Sequence, residues 1–136
     1  MDRFVNYDDV GAAAKDQLAD HALVLMFVPL FEDWVQPIAG FSTKGAAPGK
    51  VLLQLVLSAI LKLEKNNASI IGVITDGAGS NRYMWSQLGV SGKLNSERNS
   101  ILNPCDPSRK IFFLCDVPHI VKCIRNHQKK RVYGQV

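Results

Sequence analysis

This sequence has no apolar run long enough to cross a bilayer. Its most apolar stretch, residues 22–30, falls far short of the roughly 20 residues a spanning helix needs. The opening Met1-Asp2-Arg3-Phe4 is too polar for a secretory signal. Cysteine is scarce and odd in number, at three, which argues against a disulfide framework and predicts a reduced, intracellular compartment rather than secretion. No Gly-Lys-Ser/Thr phosphate loop occurs, which argues against a nucleotide hydrolase of the P-loop type. There is no internal repeat and no low-complexity segment. Acids are outnumbered, 12 against 16 bases, giving a net charge of +4. That mild excess permits a nucleic-acid partner without requiring one.

What is present suffices for one domain of 136 residues, with 47% hydrophobic residues to form a core. Residues 3–7 read as a short strand, 8–11 as a turn and 12–20 as a polar connection. Residues 22–30 and 34–41 read as two strands of a hairpin, turned at Glu32-Asp33. Pro37 lacks a donor, which places the second strand at an edge. A helix is predicted over residues 50–65, with Pro48 in its first turn. Gln54, Ser58 and Lys62 form one narrow polar stripe along it, while Leu52, Leu53, Val56, Ile60 and Leu63 are apolar.

The next stretch organises the chain. Ile70-Ile71-Gly72-Val73-Ile74-Thr75 is an unbroken apolar, β-branched run. It reads as an inner strand covered on both faces. It ends at Asp76, and Gly77 and Gly79 then turn the chain. Ser80 or Asn81 can cap a following helix through residues 83–88. Ligands of open α/β sheets gather at the carboxyl ends of strands. Asp76 is therefore either a turn residue or a ligand for a hard divalent cation.

Residues 89–109 are polar, with Gly92, Pro104 and Pro107, and read as a loop. Ile111-Phe112-Phe113-Leu114-Cys115 is a second buried strand, followed by Asp116 and a helix start at Val117-Pro118-His119. The arrangement repeats that at Asp76. Asp116 reads as a helix cap or as a second carboxylate on the same rim. His119 reads as a metal ligand, a phosphate donor or a core histidine. Cys115, His119, Cys123 and His127 are spaced by four, yet one helix cannot easily wrap a tetrahedral zinc ion. Inert thiols are the expectation. Lys122, Arg125, Lys129, Lys130 and Arg131 make a basic stripe, either a solvated face or a track for a phosphate backbone. Antiparallel strands followed by alternating strands and helices predict an α/β fold, a ribonuclease H-like mixed sheet with flanking helices.

The motifs Thr75-Asp76-Gly77-Ala78-Gly79-Ser80-Asn81-Arg82-Tyr83-Met84-Trp85 and Phe113-Leu114-Cys115-Asp116-Val117-Pro118-His119-Ile120-Val121-Lys122-Cys123-Ile124-Arg125-Asn126 closely resemble the P element transposase family, whose members include proteins with a THAP zinc finger. Asp106-Pro107-Ser108-Arg109 fits as well. The resemblance covers nearly the whole chain and falls on the ribonuclease H-like catalytic domain. It implies Mg²⁺-dependent DNA strand cleavage and transfer by two metal ions on an Asp, Asp, Glu triad, in the nucleus. Asp76 matches the second acid. Asp116 is a tentative second metal ligand, and Asn81, Arg82 and His119 stand near the site. The basic stripe becomes a candidate DNA contact. The first acid belongs upstream of this chain, so Asp2, Asp8 and Asp9 do not take its place. The family's GTP-binding insertion and its Glu belong downstream. The implied organisation is a partial ribonuclease H-like domain over residues 1–128, lacking the first strand and the C-terminal part. A basic tail over 129–136 leads to the absent insertion. Such a fragment is expected to be inactive alone. The alternative is a non-catalytic regulatory module, derived from a transposon, that binds DNA, itself or a full-length transposase.

Overall fold

The computed structural model describes residues 18–92 and 98–133. The strand expected over residues 3–7 and the turn over 8–11 lie outside the described residues. Within them the fold is mixed α/β, with two sheets and three helices.

Strands β1 (His21–Phe27) and β2 (Gln36–Thr43) form an antiparallel hairpin. Their aliphatic and aromatic residues suit a half-buried pleated surface. Leu23 and Phe27 turn inward and pack on the core. A bulge between Leu25 and Met26 brings Met26 opposite Pro37. Both strands are edges of this two-stranded sheet, so a residue without an N–H is tolerated in β2.

Helix α1 (Gly49–Lys65) follows. Pro48 stands at its N-cap rather than in its first turn, because its ψ of 140° is extended. Lys62 and Lys65 in the last turn complement the helix dipole. Leu52, Val56 and Ile60 form a row spaced by four that is buried in the core. Gln54, Ser58 and Lys62 are exposed, as the polar stripe requires. They border a groove of about 400 Å³ between α1 and the hairpin, floored by Leu25, Ile38 and Phe41.

Strand β3 (Gly72–Thr75) and helix α2 (Gly79–Gln87) come next. The cap of α2 is Ala78, not Ser80 or Asn81, and it makes no side-chain cap hydrogen bond. Met84 of α2 is fully buried. A Cβ on Gly49 would stand 2.6 Å from Tyr83 Cδ1 and 2.7 Å from the Ser80 carbonyl oxygen. Glycine there lets the start of α1 press against α2.

The region expected to be a loop contains regular structure. Strand β4 (Ser100–Asn103) pairs antiparallel with β5 (Asp106–Cys115), which begins five residues before the predicted Ile111. Asn103-Pro104 is indeed a turn signal. The Asn103 side-chain oxygen accepts from the Cys105 N–H at 2.9 Å and closes that turn. Strand β4 is too short, and the first five residues of β5 too polar, to announce themselves.

The second sheet has the order β3-β5-β4, with β3 and β5 parallel. Among the described residues β3 is therefore an edge and β5 the inner strand, which corrects the expectation of an inner strand before Asp76. Nor is β3 covered on both faces, since Ile74 is 69% exposed. Ile111 and Phe113 point into the core, while Phe112 and Leu114 face outward. Helix α3 (Val117–Tyr133) contributes none of its described side chains, residues 117–128, to the core cluster. It runs through position 128 without a break, so residues 129–133 continue the helix.

Candidate functional site

The parallel pairing of β3 with β5 builds the candidate site. Thr75 is in register with Cys115, so Asp76 and Asp116 each follow directly at the carboxyl ends of adjacent strands. The Asp116 N–H donates to the Thr75 carbonyl at 2.8 Å and holds the two ends together. Both carboxylates therefore stand on one rim. Asp76 is exposed and Asp116 half-buried.

The turn after β3 fixes Asp76. Gly77 has φ +71°, the left-handed region that glycine enters without strain. A Cβ at that position would meet Cys115 Sγ at 2.9 Å. Asp76 Oδ1 accepts from the Ala78 N–H at 2.9 Å and from Asn81 Nδ2 at 2.6 Å. Asn81 thus acts as an orienting group for Asp76 rather than as a helix cap. Among the described residues no donor reaches the other carboxylate oxygen. The hydroxyl of Thr75, the residue before Asp76, is buried with no hydrogen-bond partner among the described residues.

A hard divalent ion needs several oxygen ligands. Among the described residues no three His, Cys, Asp or Glu side chains come together as a metal-holding group. Asp76 and Asp116 have the right chemistry and the right rim, but they do not by themselves fit two ions. The same observation gives no support to a zinc set of Cys115, His119, Cys123 and His127, and the three cysteines are free.

His119 is half-buried in the first turn of α3, and Arg82 is exposed on α2. Lys122 and Arg125 are exposed on α3. The side chains of Lys129, Lys130 and Arg131 lie outside the described residues.

A second polar cluster escaped the sequence reading. Glu64 extends the buried row Leu52, Val56, Ile60 by one further step of four, and its side chain is 5% exposed. Its Oε1 accepts from the Ile70 N–H at 2.7 Å, from Asn103 Nδ2 at 2.7 Å and from Arg109 at 3.2 Å. Its Oε2 is paired with the Arg109 guanidinium. Arg109 in turn bridges to Asp106 Oδ2 at 2.8 Å. The Arg109 hydrogen bonds, then those from Ile70 and Asn103, hold the Glu64 carboxyl at about 2, below its usual range. Asp106 is held at about 2 by Ser108 first and Arg109 second. This clamp ties the end of α1 to the β4–β5 turn. A carboxylate on an otherwise buried apolar row was the available signal, because such a charge demands a cation.

The chain is similar to known proteins over most of its length. The model for the TNP-like, RNase H N-terminal domain matches residues 1–89. The chain is 27% identical over 111 residues to "Transposable element P transposase" of Drosophila melanogaster, covering 80% of this chain and 13% of that protein. It is 26% identical over 114 residues to "DNA transposase THAP9" of Homo sapiens, covering 84% of this chain and 12% of that protein. No solved structure matches the chain significantly. The chain thus spans about an eighth of the length of these relatives. No helix among the described residues is long and apolar enough to cross a membrane.

Proposed function

This chain belongs to the family of TNP-like RNase H N-terminal domains, and on that premise we propose that it is part of a DNA transposase's catalytic domain. In this reading Asp76 supplies one carboxylate to a Mg²⁺ site at the rim of the β3–β5 sheet. The observation that carries it is the register that sets Asp76 and Asp116 side by side at two parallel strand ends. Asp76 would be one of the residues that hold the metal, with Asn81 and the Ala78 N–H fixing its orientation. Asp116 is the second candidate ligand. A bound metal would supply activation of a water or hydroxyl and charge stabilisation of the leaving oxygen. The protein's part is to aim the carboxylate, and the exposed Lys122 and Arg125 would bring the phosphate backbone to the rim. DNA is then the substrate and the nucleus the place of action.

Two-metal chemistry needs ions about 3.5–4 Å apart, held by several carboxylates. The described residues offer only Asp76 and Asp116, so the chain alone should not cut DNA. Any Mg²⁺ affinity should be weak and should fall further in Asp76→Asn. The test incubates the purified chain and that variant with supercoiled plasmid and Mg²⁺ or Mn²⁺. Nicking by the native chain that vanishes in the variant would show that it builds a working site by itself. Unchanged Mg²⁺ binding in Asp76→Asn would remove Asp76 from the site. The shortage of ligands also favours a second reading, a regulatory module that binds DNA or a transposase without catalysis. DNA binding without nicking, unaffected by Asp76→Asn, is its signature.

A further inference from the structure

Two links tie the ends of β3 and β5 together, one on each side of the carboxylate pair. The first joins the residue before Asp76 to Asp116: the Asp116 N–H donates to the Thr75 carbonyl at 2.8 Å. The second joins the residue after Asp76 to the residue before Asp116. A Cβ on Gly77 would lie 2.9 Å from Cys115 Sγ, so the sulfur occupies the space in which a side chain at 77 would begin. Gly77 is fixed at φ +71° and holds the turn over that sulfur.

Cys115 reaches this place by register. Ile111 and Phe113 are buried, and strand alternation turns Cys115 to their inward face. It is in register with Thr75, one step below the rim. The thiol is free and half-buried. A free cysteine packs as a small, unbranched hydrophobe. Its one γ atom supports the turn. A longer or branched side chain there would drive into Gly77 and displace the segment whose Ala78 and Asn81 donate to Asp76.

We propose that Cys115 is a positioning residue for Asp76. Its sulfur sets the height of the Gly77 turn. With the Asp116–Thr75 hydrogen bond it fixes how the Asp76 and Asp116 carboxylates stand to each other. Cys115 touches neither metal nor substrate in this role; it acts through Gly77. The consequence for cation binding rests on the reading of Asp76 as a metal ligand, whereas the placement of Asp76 does not. Groups that orient a ligand from behind change metal affinity by roughly 10–100-fold when altered. Such a support must hold its carboxylate to within about 0.5 Å, and the 2.9 Å approach leaves no such slack.

The test compares the native chain with Cys115→Ser, Cys115→Leu, Gly77→Ala, and Gly77→Ala combined with Cys115→Ala. Amide-correlation NMR reads the Ala78 backbone amide and the Asn81 side-chain amide, which both donate to Asp76. Mn²⁺ titration reads affinity, with Asp76→Asn as its control. Cys115→Ser keeps a γ atom and should leave both signals and the Mn²⁺ affinity as in the native chain. Cys115→Leu should shift both signals and weaken Mn²⁺ binding roughly tenfold. Gly77→Ala should shift the same signals, and removing the sulfur in the double variant should bring them back toward their native positions. A folded Cys115→Leu chain with unmoved signals overturns the proposal. So does a double variant no closer to native than Gly77→Ala alone, and that pair decides by itself where Cys115→Leu does not fold. Mn²⁺ binding that is absent, or unchanged in Asp76→Asn, removes Asp76 from the metal site, and the amide signals then judge Cys115 separately.

Discussion

Glu64→Ala should be among the most damaging single changes outside the aliphatic core. The perturbation removes the only acceptor described for the Asn103 side-chain amide, and Asn103 is fully buried. A buried donor stripped of its partner costs about 1–3 kcal/mol. The Ile70 N–H loses its acceptor too. Arg109 is one-third exposed, so water can solvate it and the lost ion pair adds little. Together these predict a loss of roughly 2–4 kcal/mol. A drop in Tm of about 10 °C corresponds, for a domain of this size. Glu64→Gln keeps an oxygen for Asn103 and Ile70 but turns an amide N–H2 toward the Arg109 guanidinium, so it should cost about 1–2 kcal/mol, less than Glu64→Ala.

The same residue carries a pH signature with a definite sign. Its carboxyl sits at about 2 in the folded chain, against an ordinary 4.5. The unfolded chain therefore takes up the proton first on acidification. The stabilisation is fully present above about 4.5 and is lost as pH falls toward about 2. Asp20 and Asp106 are also held at about 2 and titrate over a similar range, so the informative quantity is the gap between native chain and Glu64→Gln. Urea unfolding followed by tryptophan fluorescence, in steps from neutral pH to about pH 3, measures it. The gap should narrow through that window. A gap that stays constant, or a Glu64→Ala protein as stable as the native one, would refute the clamp.

Four other outcomes are expected. Gly49→Ala should destabilise by about 1–3 kcal/mol in the same unfolding assay, because its Cβ would lie 2.7 Å from the Ser80 carbonyl, which cannot swing aside as a side chain can. Gly77→Ala should lose roughly 1–3 kcal/mol, through a φ of +71° and a 2.9 Å approach to Cys115 Sγ, and should disturb the Asp76 amide resonances by NMR. Ile111→Ala should cost about 2–5 kcal/mol, whereas Leu114→Ala, on the half-exposed face, should cost well under 1 kcal/mol. If the chain binds DNA, Lys122→Ala with Arg125→Ala should lower the slope of log affinity against log salt by about 2, whatever the DNA sequence.

Much of this architecture was legible because its signals are local. The aliphatic run of β1, the polar stripe of α1 and the β-branched run before Asp76 each declare an element by period or composition. The rim pairing of Asp76 with Asp116 was legible for another reason: strand, carboxylate, helix occurs twice, and parallel strands align their ends. The β4–β5 hairpin was not legible, because what fixes it is distant. The buried Asn103 amide finds its acceptor on Glu64, 39 positions earlier, and Arg109 meets Glu64 across 45. No window along the chain contains both partners. The cap of α2 differs for a local reason: Asn81 hydrogen-bonds Asp76, five positions earlier, instead of the helix end.

The mismatch at β3 has a physical content of its own. Parallel strands read as continuous apolar runs because helices cover both of their faces. Here the core with α1 and α2 covers one face, and Ile74, Phe112 and Leu114 on the other are 69%, 41% and 50% exposed. Such residues gain little stability where they stand. Their chemistry fits a sheet whose second face is also covered, and among the described residues nothing covers it. The two relatives are each about eight times longer than the matched segment, so a covering layer has material to come from in proteins of that length. The rim bearing Asp76 would then open from a sheet closed on both sides. A carboxylate in such a crevice is better shielded from water, which strengthens its attraction for any cation brought to it.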